Sequence, residues 1–158
     1  MTLPAHFSSL SGEWSGTKRL YLGWLPEPEV KSASKLTIAK AARGSFELMD
    51  YTWKYDGISQ EGLLLIGYDD TQNAVTIAWA DSWHMSRKIL HCTGSVDADG
   101  VMRVAGSYEA PPGPDWGWRI AISVEGDGKI KERLRIVMHN VSPEGKEELA
   151  VDADFTRV

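Results

Sequence analysis

Two neighbouring segments of the chain carry side chains suited to proton transfer. Asp81 and His84 lie in the loop 81–86, and His91 follows in the next apolar segment. A carboxylate that hydrogen-bonds an imidazole can act as a general acid–base pair. The alternative is an aspartate that caps the loop beside a histidine at the surface. Spacing alone is compatible with both interpretations.

Large apolar side chains occur at positions that would face the same cavity as this loop. Binding pockets are mostly apolar and contain a few polar groups that orient the ligand. The same side chains could instead fill a solid core, and this alternative stays open here. We predict a ligand site formed by Trp53, Trp79, Asp81, His84, His91, Trp118 and Met138.

The other reactive groups give no recognisable catalytic or metal-binding motif. The four histidines lack the close spacing of a zinc site, so no metal is predicted. No notable run of cationic residues lies near Cys92, which is predicted to be a small buried hydrophobic residue. Because it is the only cysteine, a disulfide framework is excluded and a cytoplasmic location is expected. No nucleophile-elbow, phosphate-loop or dinucleotide motif is present, so we assign no catalytic residue.

The elements that would position these residues are strands. Met1 to Ser9 is predicted to be a short lead with one helical turn. Residues 32–42 are ambiguous, because their Ala and Lys content followed by Gly44 also fits a helix. Alternating apolar and polar residues, bounded by turns, predict about ten strands: 12–22, 32–42, 46–55, 58–68, 74–81, 87–96, 101–108, 116–125, 130–140 and 147–157.

The turns between these strands fall into two classes that alternate along the chain. One class is short and rich in Gly and Asp, and the other is longer and contains most of the prolines. A long meander usually closes on itself, which removes its exposed edges. We therefore predict an all-β fold, with residues 1–158 forming one closed up-and-down antiparallel barrel. A ligand would enter between the loops at Trp24, Trp83 and Pro112.

The first and last strands would meet at the sealed end of such a barrel. Trp14 stands between two glycines near the start of the first strand, and Arg157 ends the last one. A guanidinium over an indole ring contributes about 0.5–2 kcal/mol. We predict that these two residues form the floor.

Two charged residues, Lys18 and Glu132, fall on faces that are predicted to point inward. A charge inside a barrel needs a partner or water. If both point inward, a wet lumen is expected. A shift of one residue in register would turn both to solvent.

The order of several motifs resembles that of lipocalins and fatty-acid-binding proteins, the calycin group. The motifs are residues 10–16 (LSGEWSG), 67–69 (GYD), 79–82 (WADS), 94–100 (GSVDADG) and 155–157 (FTR). Within that group the chain is most similar to a largely bacterial family called domain of unknown function 1579. The resemblance implies a lipocalin-like barrel and implies no activity, because none is assigned to that family.

The Gly-x-Trp-x-Gly pattern also resembles nitrobindin, a barrel that binds haem. That resemblance implies an axial histidine on the last strand, where this chain has none. His139 lies one strand earlier, on the face opposite Met138. This departure argues against haem, and no cofactor is expected.

Composition narrows the function classes. The chain of 158 residues has a net charge of −5, which argues against nucleic acid or an anionic membrane as a partner. We expect a binder of a small hydrophobic or aromatic ligand, and a homodimer stays open. The alternatives are an enzyme that uses Asp81 and a histidine at the barrel mouth, and a structural or protein-interaction module with a filled core.

Overall fold

The computed structural model describes residues 4–126 and 132–158, except for the side chain of His6. A helical turn, α1 (Ala5–Ser8), precedes ten strands, and a 3-10 turn (Ala42–Gly44) joins the second strand to the third. The strands are β1 (Gly12–Tyr21), β2 (Glu29–Ala41), β3 (Phe46–Tyr55), β4 (Ile58–Asp69), β5 (Ala74–Asp81), β6 (Leu90–Val96), β7 (Met102–Tyr108), β8 (Trp116–Glu125), β9 (Arg133–Val141) and β10 (Glu147–Arg157).

The ten strands form one closed antiparallel barrel. Each strand pairs with its neighbours in sequence, and β1 pairs with β10 to complete the circle. The segment 32–42, for which a helix stayed open, belongs to the long strand β2. The predicted all-β barrel of about ten strands is therefore confirmed.

Three strand predictions need correction or lie outside the described residues. Strand β2 begins at Glu29 rather than at residue 32. Strand β6 begins at Leu90 rather than at residue 87, because Ser86 and Arg87 have φ angles of 46° and 73°. Positive φ angles are incompatible with a strand. The start of the strand predicted at 130–140 falls on residues that are not described.

Side chains that alternate along the strands fill the interior of the barrel. The largest fully buried ones include Trp14, Trp79 and Leu64. Residues 63–66 (LLLI) look suited to burial on both faces, but this interpretation is wrong. Leu64 and Ile66 are buried, whereas Leu63 is 37% exposed on the outer face. The strands thus follow the inside–outside alternation of a sheet with one covered face.

The floor is built from both ends of the chain. The Trp14 ring is buried, and its Nε1–H donates to the carbonyl oxygen of Leu10 at 2.9 Å. The guanidinium carbon of Arg157 lies 4.5 Å from the centroid of that ring. Arg157 also donates to the carbonyl oxygens of Ser9 and Ser11, at 2.9 Å each. These contacts seal one end of the barrel, and any opening must lie elsewhere.

Glu132 lies in this floor rather than in the lumen. Its Oε2 accepts hydrogen bonds from Nε and Nη2 of Arg157 at 3.0 and 2.7 Å. The expectation of two charges inside the barrel therefore holds for Lys18, which is 3% exposed, and not for Glu132. No helix in the described ranges is long and apolar enough to cross a membrane.

Candidate functional site

A buried carboxylate organises the upper half of the barrel. Asp81, at the end of β5, is 6% exposed. Its Oδ2 accepts hydrogen bonds from the Tyr51 hydroxyl at 2.5 Å and from Trp53 Nε1 at 3.2 Å. Its Oδ1 accepts from the backbone N–H groups of Trp83 at 2.8 Å and of His84 at 3.2 Å. One side chain thus ties the barrel wall to the loop that covers the mouth.

A glycine on the neighbouring strand makes room for this network. Gly62 on β4 lies in register between Tyr51 on β3 and Asp81 on β5. A Cβ atom at Gly62 would lie 2.2 Å from the Tyr51 hydroxyl oxygen and 2.8 Å from Asp81 Oδ2. The hydrogen bond between the tyrosine and the aspartate therefore passes over a position where only glycine fits.

Lys18 supplies the opposite charge inside the barrel. Its Nζ lies 3.9 Å from Asp81 Oδ2 and 3.5 Å from the centroid of the Trp53 ring. Burial lowers the pKa of Lys18 to about 7, although the charge of Asp81 opposes this shift. Burial alone would raise the pKa of Asp81, but Lys18, His84 and the hydrogen bonds it accepts lower it overall. The carboxylate therefore stays ionised at neutral pH.

Tyr51 completes the network as a neutral donor. Burial, with the charge of Asp81 and the hydrogen bond to it, raises the pKa of Tyr51 well above its ordinary value. The tyrosine oxygen in turn accepts a hydrogen bond from Trp79 Nε1 at 2.9 Å. The network is therefore internally satisfied and positions the aromatic rings above it.

Those rings enclose the imidazole of His84. Its centroid lies 4.8 Å from that of Trp83, 5.2 Å from Trp79, 5.8 Å from Trp53 and 5.9 Å from Trp118. Burial lowers the pKa of His84 to about 4. The nearby charge of Lys18 also lowers this pKa, whereas the charge of Asp81 raises it. The imidazole is therefore neutral at physiological pH. We call Trp83 and His84 the aromatic plug.

Two polar atoms around the plug lack hydrogen-bond partners within the described structure: His84 Nε2 and Trp118 Nε1. Both are buried. The ring of Trp118 is stacked on that of Trp79, with centroids 5.2 Å apart and 12° between the planes. Each unpaired buried polar group costs about 1–3 kcal/mol. A ligand that pairs with these atoms would recover part of that cost.

Two clefts flank the plug, and His84 and Trp118 line both. The larger, the side cleft, has a volume of about 1020 Å³ and lies between the upper ends of β6 and β7. The smaller, the mouth cleft, has a volume of about 510 Å³ and lies beside β1, β9 and β10. The mouth cleft is lined by Leu20, Tyr21, Leu22, Gly23, Trp24, Pro28, Trp83, His84, Trp118, Asn140, Glu148, Leu149 and Ala150.

The structure brings together five of the seven residues predicted for a ligand site: Trp53, Trp79, Asp81, His84 and Trp118. Of these five, His84 and Trp118 line both clefts and Trp79 lines the side cleft, whereas Trp53 and Asp81 lie beneath them. Met138 is buried inside the barrel on β9 and also lines neither cleft. The predicted entrance matches the mouth cleft at Trp24 and Trp83, whereas Pro112 does not line it.

His91 does not reach the lumen. Leu90 and Cys92 are the buried residues of this part of β6, so alternation turns the histidine outward, where it is exposed at the rim of the side cleft. The prediction that His91 lies beside Asp81 is therefore wrong, because it assigned His91 to the inner face of β6 and the residue lies on the outer face. Burial raises the pKa of the Cys92 thiol to about 11, so it is not a thiolate at neutral pH.

The predicted acid–base pair does not form as expected. The Asp81 carboxylate accepts a hydrogen bond from the backbone N–H of His84 and not from its imidazole. The imidazole lies among tryptophan rings. β10, the last strand, carries no histidine that could serve as the axial ligand implied by the resemblance to nitrobindin. Across the described residues, no group of three or more His, Cys, Asp or Glu side chains could hold a metal ion.

Strand alternation alone does not reveal the link between Lys18 and Asp81 or the role of Tyr51. Gly62 is the signal that could have found the tyrosine, because a glycine inside a strand often marks a close approach of neighbouring groups. The contact between Lys18 and Asp81 crosses the lumen from β1 to β5, and strand patterns do not encode such contacts.

These features define the protein as a closed, ten-stranded, lipocalin-like barrel. The chain belongs to the family described as "Protein of unknown function (DUF1579)", whose model matches residues 4–157. The family resemblance inferred from the motifs is thus confirmed.

One solved structure that is similar to this chain is the crystal structure of Rv2717c from M. tuberculosis. The TM-score is 0.65 at 14% sequence identity, over 99% of each chain. Such a low identity shows the fold alone. No curated protein matches the sequence.

Proposed function

We propose that this protein binds a small, partly apolar ligand at the mouth of the barrel, against His84 and Trp118. The observation that carries the proposal is a pair of unpartnered buried atoms, His84 Nε2 and Trp118 Nε1, which belong to two residues that line both clefts. Natural proteins pair nearly all buried polar groups, so two unpaired ones at a cleft favour an external partner.

The surroundings support a ligand that is mostly apolar. The mouth cleft contains Leu20, Leu22 and three tryptophans, and Glu148 is the charged side chain in its lining. Its volume of about 510 Å³ lies within the usual range of small-molecule sites, about 300–1,000 Å³. Below the plug the barrel is packed with buried side chains, so the proposed ligand lies at the mouth and not deep in the lumen.

The polar network of Asp81, Lys18 and Tyr51 beneath the site would hold the aromatic plug in place. Asp81 holds the plug through two backbone hydrogen bonds, and Lys18 and Tyr51 hold Asp81. A preformed site loses little entropy on binding. The same rigidity suits a binder whose site is preformed.

Tryptophan fluorescence can test the proposal. The protein would be titrated with decanoate, naphthalene and quinolin-2(1H)-one, and a saturable one-to-one change with at least one probe is expected. His84→Phe should weaken that binding, whereas His139→Gln, on the outer face of β9, should not. Binding that is equal in both variants would place the site elsewhere. No saturable change with any probe would favour the module with a filled core.

A further inference from the structure

We infer that the mouth cleft selects a neutral, flat heteroaromatic molecule that carries a carbonyl beside a ring N–H, as a lactam does. Trp118 and His84 would recognise that edge. This inference rests on the function proposed above and names its ligand class.

Trp118 requires an acceptor. An indole Nε1–H is a donor only. In the described structure it has no partner, although its residue is 7% exposed and lies at the cleft wall. A purely apolar ligand would leave this donor unpaired, so a ligand with a carbonyl oxygen is favoured over a hydrocarbon.

The His84 imidazole can hydrogen-bond either the N–H or the carbonyl of a lactam. Its imidazole is neutral, because burial and the Lys18 charge both disfavour protonation. A neutral imidazole carries one proton, so Nε2 is an acceptor in one tautomer and a donor in the other. A lactam offers a ring N–H to the first and a carbonyl to the second. The rings of His84 and Trp118 have centroids 5.9 Å apart, so one small ligand edge can lie near both.

The walls of the cleft favour a flat and uncharged molecule. Trp24, Trp83 and Trp118 line it, and Trp24 is 76% exposed, which leaves its ring available for stacking. Aromatic faces prefer offset stacking on other flat rings. The described lining contains no lysine or arginine, and Glu148 in it is already paired with Lys146 at 3.3 Å, so a carboxylate ligand would find no counter-charge there.

The other unpaired buried atoms do not compete for this ligand. Among the described residues they are Ser34 Oγ and Glu47 Oε1, and neither residue lines the mouth cleft or the side cleft. The unpaired groups that meet a cleft are thus the indole and the imidazole of the mouth.

A matched series of two-ring probes tests the ligand class on the unmodified protein. The probes are quinolin-2(1H)-one, quinoline, naphthalene and 2-naphthoate, measured by fluorescence titration at pH 7.5. We expect the lactam to bind about tenfold more tightly than naphthalene, with quinoline in between and 2-naphthoate no tighter than naphthalene. Because naphthalene is the most hydrophobic of the four, hydrophobic burial alone predicts the opposite order.

Trp118→Phe gives the second arm, with His139→Gln as control and circular dichroism to verify folding. The preference for the lactam should fall to about threefold or less in Trp118→Phe and stay unchanged in the control. In ¹⁵N-labelled unmodified protein, the Trp118 indole N–H signal, assigned through its contacts with the stacked ring of Trp79, should move downfield with the lactam and not with naphthalene. This signal tests the contact in the unmodified chain even if the variant is unstable.

The outcomes separate the two proposals. If all four probes bind with similar affinity, or naphthalene binds best, the ligand class is wrong while the binding function stands. If the lactam preference survives unchanged in folded Trp118→Phe, recognition by Trp118 is wrong. If none of the four probes saturates while decanoate does, the ligand class is wrong and the binding function stands. If decanoate does not saturate either, both proposals fail.

Discussion

Gly62→Ala is the smallest change that tests the polar network under the mouth. The new methyl carbon would lie 2.2 Å from both Cζ and the hydroxyl oxygen of Tyr51. Real carbon contacts are about 3.5–4.0 Å, so the tyrosine ring must move away. That movement breaks the 2.5 Å hydrogen bond from Tyr51 to Asp81, and both of these residues are buried.

The cost has two parts. Overpacking a well-packed interior costs about 1–3 kcal/mol. Loss of a hydrogen bond to a charged group costs about 1.5–3 kcal/mol. The free energy of unfolding should therefore fall by about 2.5–6 kcal/mol. For a chain of this length, the melting temperature should fall by at least about 5 °C.

Urea denaturation and thermal melting measure the effect against a matched control. Gly23→Ala places the same methyl group where no atom lies within 4 Å, so stability should change by less than about 1 kcal/mol. In a Tyr51→Phe background the hydroxyl is absent, so Gly62→Ala should cost less than it does in the unmodified protein. If Gly62→Ala melts within about 1 °C of the parent protein, the close approach does not constrain the network and our reasoning is refuted.

Three further perturbations test other parts of the structure. At pH 6, below the pKa of about 7 that burial gives Lys18, Lys18→Met leaves the buried carboxylate of Asp81 without its cation, so urea denaturation should show a loss of about 3–5 kcal/mol. Lys18→Met/Asp81→Asn should recover most of it, and a double variant as unstable as the single one would contradict the pairing. Folding lowers the pKa of His84 from 6.5 to about 4, so the unfolded chain binds more protons between these values. Stability should therefore fall by up to about 3 kcal/mol as the pH drops from 6.5 to 4. His84→Gln should lack that slope, and identical pH profiles would disprove the assignment. Arg157→Met removes the cation over Trp14 and its hydrogen bonds, so we expect a loss of about 2–4 kcal/mol. Unchanged thermal melting would rule out the floor contact as a stabilising feature.

The sequence was sufficient to predict the barrel, because strand alternation and turn chemistry are local signals. Strands β3 and β5 have the predicted bounds, since Gly, Asp and Asn mark their ends. The register of β6 was not predictable in the same way. Its start depends on positive φ angles at Ser86 and Arg87, two residues whose types do not announce that conformation.

The candidate site was predictable in composition and not in arrangement. Trp53, Trp79 and Trp118 lie on inward faces that alternation identifies. The position of His84, however, depends on how its loop folds back over the mouth, and a backbone hydrogen bond to Asp81 determines this. Such a contact is specific to the folded loop and leaves no periodic pattern.

The seam between β1 and β10 also affects how the chain folds. Elsewhere around the barrel, strands pair with their neighbours in sequence and can form as successive hairpins. The seam instead joins Trp14 to Arg157, so closing it costs the loop entropy of almost the whole chain. During synthesis β10 leaves the ribosome after the other nine strands. Until then β1 and β9 present open edges that can pair with another chain. The nascent protein is therefore most exposed to aggregation and strand exchange just before Arg157 reaches the floor.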